Sequence, residues 1–256
     1  MAKLFNNIRK KLVSEKPSTA RTANYLKYAI GEIVLVVIGI LIALSINTWN
    51  QNKQQQKVEI STLKALASEF KENRNSIQSC KDHIIKMRLS GDSIRMQIGP
   101  KLSPLNTDNI NRIIGDIGST LKCKVSIDIL EDIQGSGKLN LLTNEKIRRS
   151  ISKWSSYLKE LEGEENDWAQ EFSQQFIPYA NKWLQWDNVD FQFNKDDSRY
   201  FKSRFIIDPR VILQKPEFSN IMAIQYWRIT RVQSRTDSLL KHTDKLVALI
   251  QKELKK

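Results

Sequence analysis

One apolar run, Ile33 to Leu44 (IVLVVIGILIAL), interrupts a chain that is otherwise periodic and polar. No charged residue falls within it, and aromatic residues flank it at Tyr25, Tyr28 and Trp49. As a helix, Tyr28 to Trp49 covers about 31 Å, close to the ~30 Å hydrocarbon core of a bilayer. The pattern predicts a membrane-spanning helix over residues 28–49, with the aromatic flanks as interfacial anchors. A cleaved signal peptide and a core helix of a soluble protein are the competing readings. A signal peptide needs a shorter basic region and small residues before its cut. Here 27 residues precede the span, and the run exits into Ser45-Ile46-Asn47-Thr48-Trp49-Asn50 with no A-x-A site. An uncleaved signal anchor is therefore expected.

Beyond the span the apolar positions take a helical period. Leu63, Leu66, Phe70, Ile77, Cys80, Ile84, Met87 and Ile94 recur at three- and four-residue spacing, with Asn73 and Gly91 as weak points. No helix breaker stands between Asn47 and Lys57, so this helix should continue from the span through the polar stalk NQNKQQQK. Pro100, Pro104 and Asn106-Thr107-Asp108 end it and cap the next element. Short helices are expected near residues 109–117 and 126–134, with a short extended piece at 121–126 and a turn at Gly135-Ser136-Gly137. A second long helix should begin near Thr143, on the ladder Ile147, Ile151, Trp154, Leu158, Leu161, Trp168, Phe172, Phe176, Tyr179, Trp183. Glu165 falls on that stripe, and Pro178 must kink or end the helix. Val189 to Phe193 alternates in the manner of a short strand. Pro216-Glu217 opens a last helix carrying Met222, Ile229, Val232, Leu239, Leu246 and Ile250. The sum is an all-α chain: one N-terminal transmembrane helix running into an elongated antiparallel helical bundle whose long helices alternate up and down. Scarce Gly and Pro (9 and 6 residues) and weak two-residue periodicity argue against a sheet.

Charge sets the orientation. Residues 1–27 carry seven Lys/Arg against the single acid Glu15, whereas the twenty residues after Trp49 carry Lys53, Lys57 and Lys64 against Glu59 and Glu69. Short basic flanks stay inside. Residues 1–27 then form a cytoplasmic basic tail, 28–49 the span and 50–256 a periplasmic domain. The tail also suits electrostatic contact with the anionic inner leaflet. The net charge of +13 does not make the chain a nucleic-acid binder, because its cations are spread around helices without aromatic platforms. A mildly basic outer domain would suit anionic headgroups. Cys80 and Cys123 are the only cysteines. Outside the membrane they could form a disulfide, worth up to ~4 kcal/mol by the chain-entropy argument. Cys80 lies on the apolar face of its helix, so a buried free thiol is the competing reading.

No catalytic, cofactor-binding or metal-site signature stands out. Gly135-Ser136-Gly137-Lys138 fails as a phosphate loop, since Asp132 occupies the place of the first Gly and Leu139 that of the Ser/Thr. His83 and His242, the only histidines, fall on different helices. The acidic groups Asp128, Glu131, Asp132 and Glu160, Glu162, Glu164, Glu165, Asp167 read as solvated helix faces. The span holds the most informative polar residue. Glu32, Gly39, Ala43 and Asn50 fall within about 40° of one another on a helical wheel. Gly39-x-x-x-Ala43 permits close helix approach, and a charge in a span is a functional candidate by default. The stripe predicts a helix partner in the membrane. Its rival is a snorkelling Glu32 with incidental small residues.

The segment from Tyr25 to Asn50 resembles a family of uncharacterised bacterial membrane proteins carrying an amino-terminal YAIGEIxLVxIGILIAL-x-INxWN signature. Gly135-Ser136-Gly137-Lys138-Leu139-Asn140-Leu141-Leu142, Asn144-Glu145-Lys146-Ile147-Arg148 and Ile250-Gln251-Lys252-Glu253-Leu254 add weaker likeness. The resemblance implies a domain of unknown function in Gram-negative bacteria, anchored in the inner membrane, with no assigned activity. Ser45 and Thr48 stand where Gln and Asn are more usual, and both remain polar.

The expected function is therefore a membrane-anchored periplasmic interaction or scaffold protein without catalytic activity. It would bind itself or another envelope protein, besides the lipid bilayer. An exposed aromatic patch around Trp183, Leu184 and Trp186 would support that reading. The alternative is a periplasmic sensory or ligand-binding input signalling through a separate partner, since the tail is too short for an output domain. A pocket between the long helices lined by convergent polar groups would favour it.

Overall fold

A computed structural model describes residues 19–256, with side chains from Leu26 onward. The first eighteen residues of the basic tail and the Tyr25 side chain lie outside the described residues. The chain divides into two compact units between Val58 and Glu59. Helix α1, Thr19–Arg95, contributes to both.

In the first unit α1 carries the apolar run. Its most apolar window has a mean hydropathy of 2.8 with no residue buried, which makes it long and apolar enough to cross a membrane. Ile33 through Leu44 are exposed to the last residue, unlike the half-hidden stripe of a core helix. Just beyond the run, the Lys53 ammonium lies 4.5 Å over the Trp49 ring.

The second unit is all-helical, with no strand among the described residues. After α1 come α2 (Thr107–Ile117), α3 (Asp128–Gly135), a 3-10 turn at Lys138–Leu141 and α4 (Glu145–Glu171). A π turn at Phe172–Phe176 leads into the short α5 (Ile177–Ala180). Then follow α6 (Trp186–Phe191), a 3-10 turn at Pro209–Gln214 and α7 (Pro216–Glu253). The local chemistry is legible. Asn106 and Asn144 cap α2 and α4 through side-chain oxygens that accept backbone N–H groups. Gly137 takes φ 73°, a left-handed turn that a Cβ would strain. Pro178 has no N–H to give the preceding turn, and the chain widens there into the π turn, with Ile177 N–H donating to Phe172 C=O.

The long helices do not alternate in direction. Thr143 N–H donates to Glu59 (2.6 Å), and the Phe70 and Trp154 rings meet edge-on at 4.9 Å, so α1 and α4 advance together. Helix α7 runs against both. Arg74 pairs with Asp244 (2.6 Å) and Lys81 with Asp237 (2.7 Å), while Trp154 N–H donates to Thr243 (2.8 Å) and Trp168 N–H to Gln225 (2.8 Å). The antiparallel character thus comes from α7 alone. The chain between α1 and α4 makes the reversal by running back down α1: Asp116 meets Lys86 (3.1 Å), Cys123 meets Cys80, Ser126 meets Asn73 and Leu130 meets Glu69. The apolar ladders of α1, α4 and α7 form one core in which Phe70, Ile77, Ile84, Ile151, Trp154, Leu239 and Ile250 are fully buried.

Residues 189–193 correct the strand expectation. They lie in and just after α6, which satisfies its own backbone where no second strand is at hand. Gly115 makes the fit possible, because a Cβ there would overlap the Phe193 ring packed against α2.

Candidate functional site

Four features of the structure bear on function. The first is the return segment, residues 119–127. It has no regular structure, and its residues from Leu121 to Asp128 alternate between half-buried and exposed. A non-helical strip inside a helical bundle has no ladder to satisfy its backbone. Helix side chains do so instead. Asn73 holds both Ser126 N–H and Ser126 C=O (2.9 and 2.7 Å), and Glu165 accepts Cys123 N–H (2.9 Å). Glu69 accepts the N–H groups of Ile129 and Leu130 (2.9 and 3.0 Å), capping α3, whose own N-cap residue Ile127 makes no side-chain cap. Cys80 and Cys123 are joined in a disulfide with their Cα atoms 5.4 Å apart, which pins the segment to α1. Their sulfurs and a Glu165 oxygen lie within 4.8 Å of one another, but bonded sulfurs offer a metal no thiolate. Glu165 is 3 % exposed, and burial pushes its carboxyl up to about 7.

The acidic run on α4 is only in part a solvated face: Glu160, Glu162 and Asp167 are exposed, whereas Glu164 and Glu165 are buried. Glu160 pairs with Arg235 (3.0 Å), Glu164 with Arg231, and Glu171 and Asp167 with Arg228 (2.8 and 3.3 Å), so acids of α4 face arginines of α7. The Arg231 hydrogen bond holds the Glu164 carboxyl below its usual range. Lys138 pairs with Asp132 (3.4 Å) at the Gly137 turn.

The second feature is a pocket among α1, the end of α2, α4, the π turn and α7. Met87, Met222, Trp168, Phe176, Ile117 and Ile229 form its apolar wall, with Arg88, Arg95, Gln225 and Tyr226 alongside. Its room is about 30 Å³, about that of one water, and it is partly open to solvent. Gly91 lies on the α1 wall, and a Cβ there would meet nothing within 4 Å. Gln225, 8 % exposed, receives the Trp168 indole N–H on its oxygen, and its buried Nε2 has no partner. The buried Nε of Arg88 has none either. Arg88 and Arg95 share Asp92 at 4.0 Å each, and Arg95 stacks 4.3 Å over the Tyr226 ring.

The third feature corrects an expectation. Leu184 is buried, and Trp183 and Trp186 are half-buried against the core, so these three residues make no exposed patch. The exposed apolar surface lies further along, in the irregular segment after α6. Phe201, Phe205 and Ile206 are 64 %, 75 % and 102 % exposed, with Tyr200 and Ile207 beside them. Cations are interspersed: Lys202 pairs with Asp108 (3.3 Å) and Arg199 with Asp197 (2.6 Å), while Arg204 has no ion-pair partner among the described residues. The sequence of this segment has neither period nor motif. Its only signal is the density of large apolar residues between charges.

The fourth feature is the stripe in the first unit. Glu32, Gly39, Ala43 and Asn50 all lie on α1 and all are exposed, and neither Gly31 nor Gly39 has an atom within 4 Å of where a Cβ would stand. His83 is exposed on α1, whereas His242 sits on α7 against Ser150 and Tyr157, so the two do not meet.

Comparison with known proteins reaches part of the chain. No curated protein and no solved structure matches it. Residues 32–122 match a family described as "Family of unknown function (DUF6090)". The matched stretch holds the stripe and Cys80 and stops one residue before Cys123. It leaves out α4, α7 and the exposed segment. Over residues 32–122 the chain is thus similar to an uncharacterised domain family.

Proposed function

We propose that the protein is a single-pass inner-membrane interaction module, with its amino terminus in the cytoplasm and residues 50–256 in the periplasm, binding a second envelope protein without catalysing a reaction. The exposed run Tyr200–Ile207 carries this reading. Large apolar residues clustered on a surface segment are costly to leave in water and are a feature of binding surfaces. The interspersed cations fit a partner whose docking face is apolar with acidic edges. Basic residues before the span support the orientation, and the disulfide suits an oxidising compartment. The Glu32/Gly39/Ala43/Asn50 stripe would add a helix contact inside the bilayer.

A photo-crosslinking amino acid at Phe205, activated in intact cells, tests the reading. A discrete protein adduct would support it. Adducts with lipid alone, or none, would refute it. A second reading is favoured by the unpaired buried donors of Gln225 and Arg88 beside the pocket: a periplasmic ligand-binding input that signals through a separate partner.

A further inference from the structure

We propose that the Cys80–Cys123 bond is an exchangeable disulfide, opened by an external dithiol, and that Glu165 supplies the proton taken up by the departing sulfur. Binding of a partner at Tyr200–Ile207 does not require this chemistry, which is a separate property of the second unit.

Three reactive groups meet where the return segment crosses α1 and α4. The two sulfurs and a Glu165 carboxyl oxygen lie within 4.8 Å of one another. Their exposure differs: Cys80 is 7 % exposed and Cys123 is half-buried, while Glu165 is buried. A thiolate arriving from solvent therefore meets Cys123 first and displaces Cys80. The Cys80 sulfur then carries a negative charge on the helix face of Ile77 and Ile84, both fully buried, and burial makes that charge costly. A proton donor within reach removes the cost.

Glu165 is such a donor. It accepts one hydrogen bond, from Cys123 N–H (2.9 Å), and makes no ion pair among the described residues. A glutamine would accept the same bond without burying an ionisable group, so backbone satisfaction alone does not call for an acid. The charged groups facing it are Lys122 of the return segment, whose ammonium is turned to Asn166 (2.8 Å), and Glu162 of its own helix. On α1, Lys81 is engaged by Asp237 of α7 (2.7 Å). Burial outweighs these charges and raises the carboxyl to about 7.

One thiolate of the dithiol attacks the Cys123 sulfur. The S–S bond breaks, its electron pair leaves on Cys80, and the Glu165 proton passes to that sulfur. The dithiol's second sulfur loses its proton to water, attacks the mixed disulfide and frees Cys123, which takes a proton from water. Glu165 regains one from solvent. The protein disulfide has gained two electrons, and the external dithiol has become a disulfide. The return segment, no longer pinned to α1 by the bond, is then held by packing and by side-chain hydrogen bonds such as those of Asn73 and Glu165.

The test reduces the full chain in lipid nanodiscs with dithiothreitol between pH 6 and pH 9. Samples are quenched with acid, alkylated and read by mass spectrometry, and each rate is divided by the dithiothreitol thiolate concentration. The parent should react at least about tenfold faster than Glu165→Gln at pH 6, and no faster at pH 9, where a carboxylate repels the departing thiolate. A ratio unchanged across that range would reduce Glu165 to an acceptor for Cys123 N–H and overturn its role as donor. Should Glu165→Gln fail to fold, the parent decides alone. Its corrected rate should fall as pH rises through about 7, and a flat profile would overturn the same role. With glutathione as the thiol, the trapped adduct should sit on Cys123; an adduct on Cys80 would overturn the order of attack. A bond that dithiothreitol opens only in denaturant would overturn the exchange itself.

Discussion

Three polar residues on apolar stripes carry much of the local specificity. Glu69, Asn73 and Glu165 are each buried on a core-facing side of their helix, among the apolar ladder residues. Each is buried because it satisfies backbone that no helix or sheet can satisfy. The type of residue was informative, but the backbone N–H groups that Glu165 and Glu69 accept lie 42 and 61 positions away along the chain, beyond any local pattern. Removing Glu69 leaves two N–H groups at the start of α3 buried and unpaired. Glu69→Ala should cost on the order of 2–4 kcal/mol, measured by chemical denaturation. Glu165 gives a sign that can be checked against pH. Its carboxyl, raised to about 7, binds its proton more tightly folded than unfolded. The stability it contributes is therefore fully present below its ordinary range and is lost as pH rises through about 7. Glu165→Gln keeps the acceptor for Cys123 N–H and removes the titration. The variant should match the parent near pH 4 and exceed it at pH 9 by about 2–3 kcal/mol. Parallel stability curves across that range would show that ionisation at Glu165 is not the cause.

Among the elements, the helices follow their sequence closely. The cap at Asn106, the proline start of α7 and the spacing of apolar residues are short-range signals, and they fall where expected; the Asn144 cap stands one residue after the expected start near Thr143. The misread element is α6, where alternation over five residues imitated a strand. A two-residue period needs a partner strand to mean anything, and this bundle has none among its described residues. The return segment behaves in the opposite way: it alternates in burial and stays irregular, because side chains and the disulfide hold it. The Cys80–Cys123 bond closes a loop with a sequence separation of 43. Reduction, or Cys80→Ser, should lower stability by up to ~4 kcal/mol and loosen residues 119–127 first, seen as faster hydrogen exchange at Cys123 and Ser126.

For the whole molecule, the apolar run, its flanking charges and the helical ladders were enough to expect one helix fit to cross a membrane and an all-α domain after it. Those properties depend on composition and on periods of a few residues, which neighbouring positions along one chain decide. The proposed orientation rests on the same local charges and is directly testable. A carboxy-terminal tag should resist protease in intact cells and be digested once the outer membrane is permeabilised. Protection until the inner membrane is lysed would invert the topology. What only the tertiary structure decided is which faces meet. It made the first two long helices parallel, turned an acidic run into partners for α7, hid Leu184 and left Phe201, Phe205 and Ile206 in the open. It also set Gln225 and Arg88 beside one small pocket, with donors that nothing in the bundle receives. Such outcomes depend on the path by which residues 96–144 return along α1, a path set by contacts between residues far apart in the chain, and no short-range period encodes it.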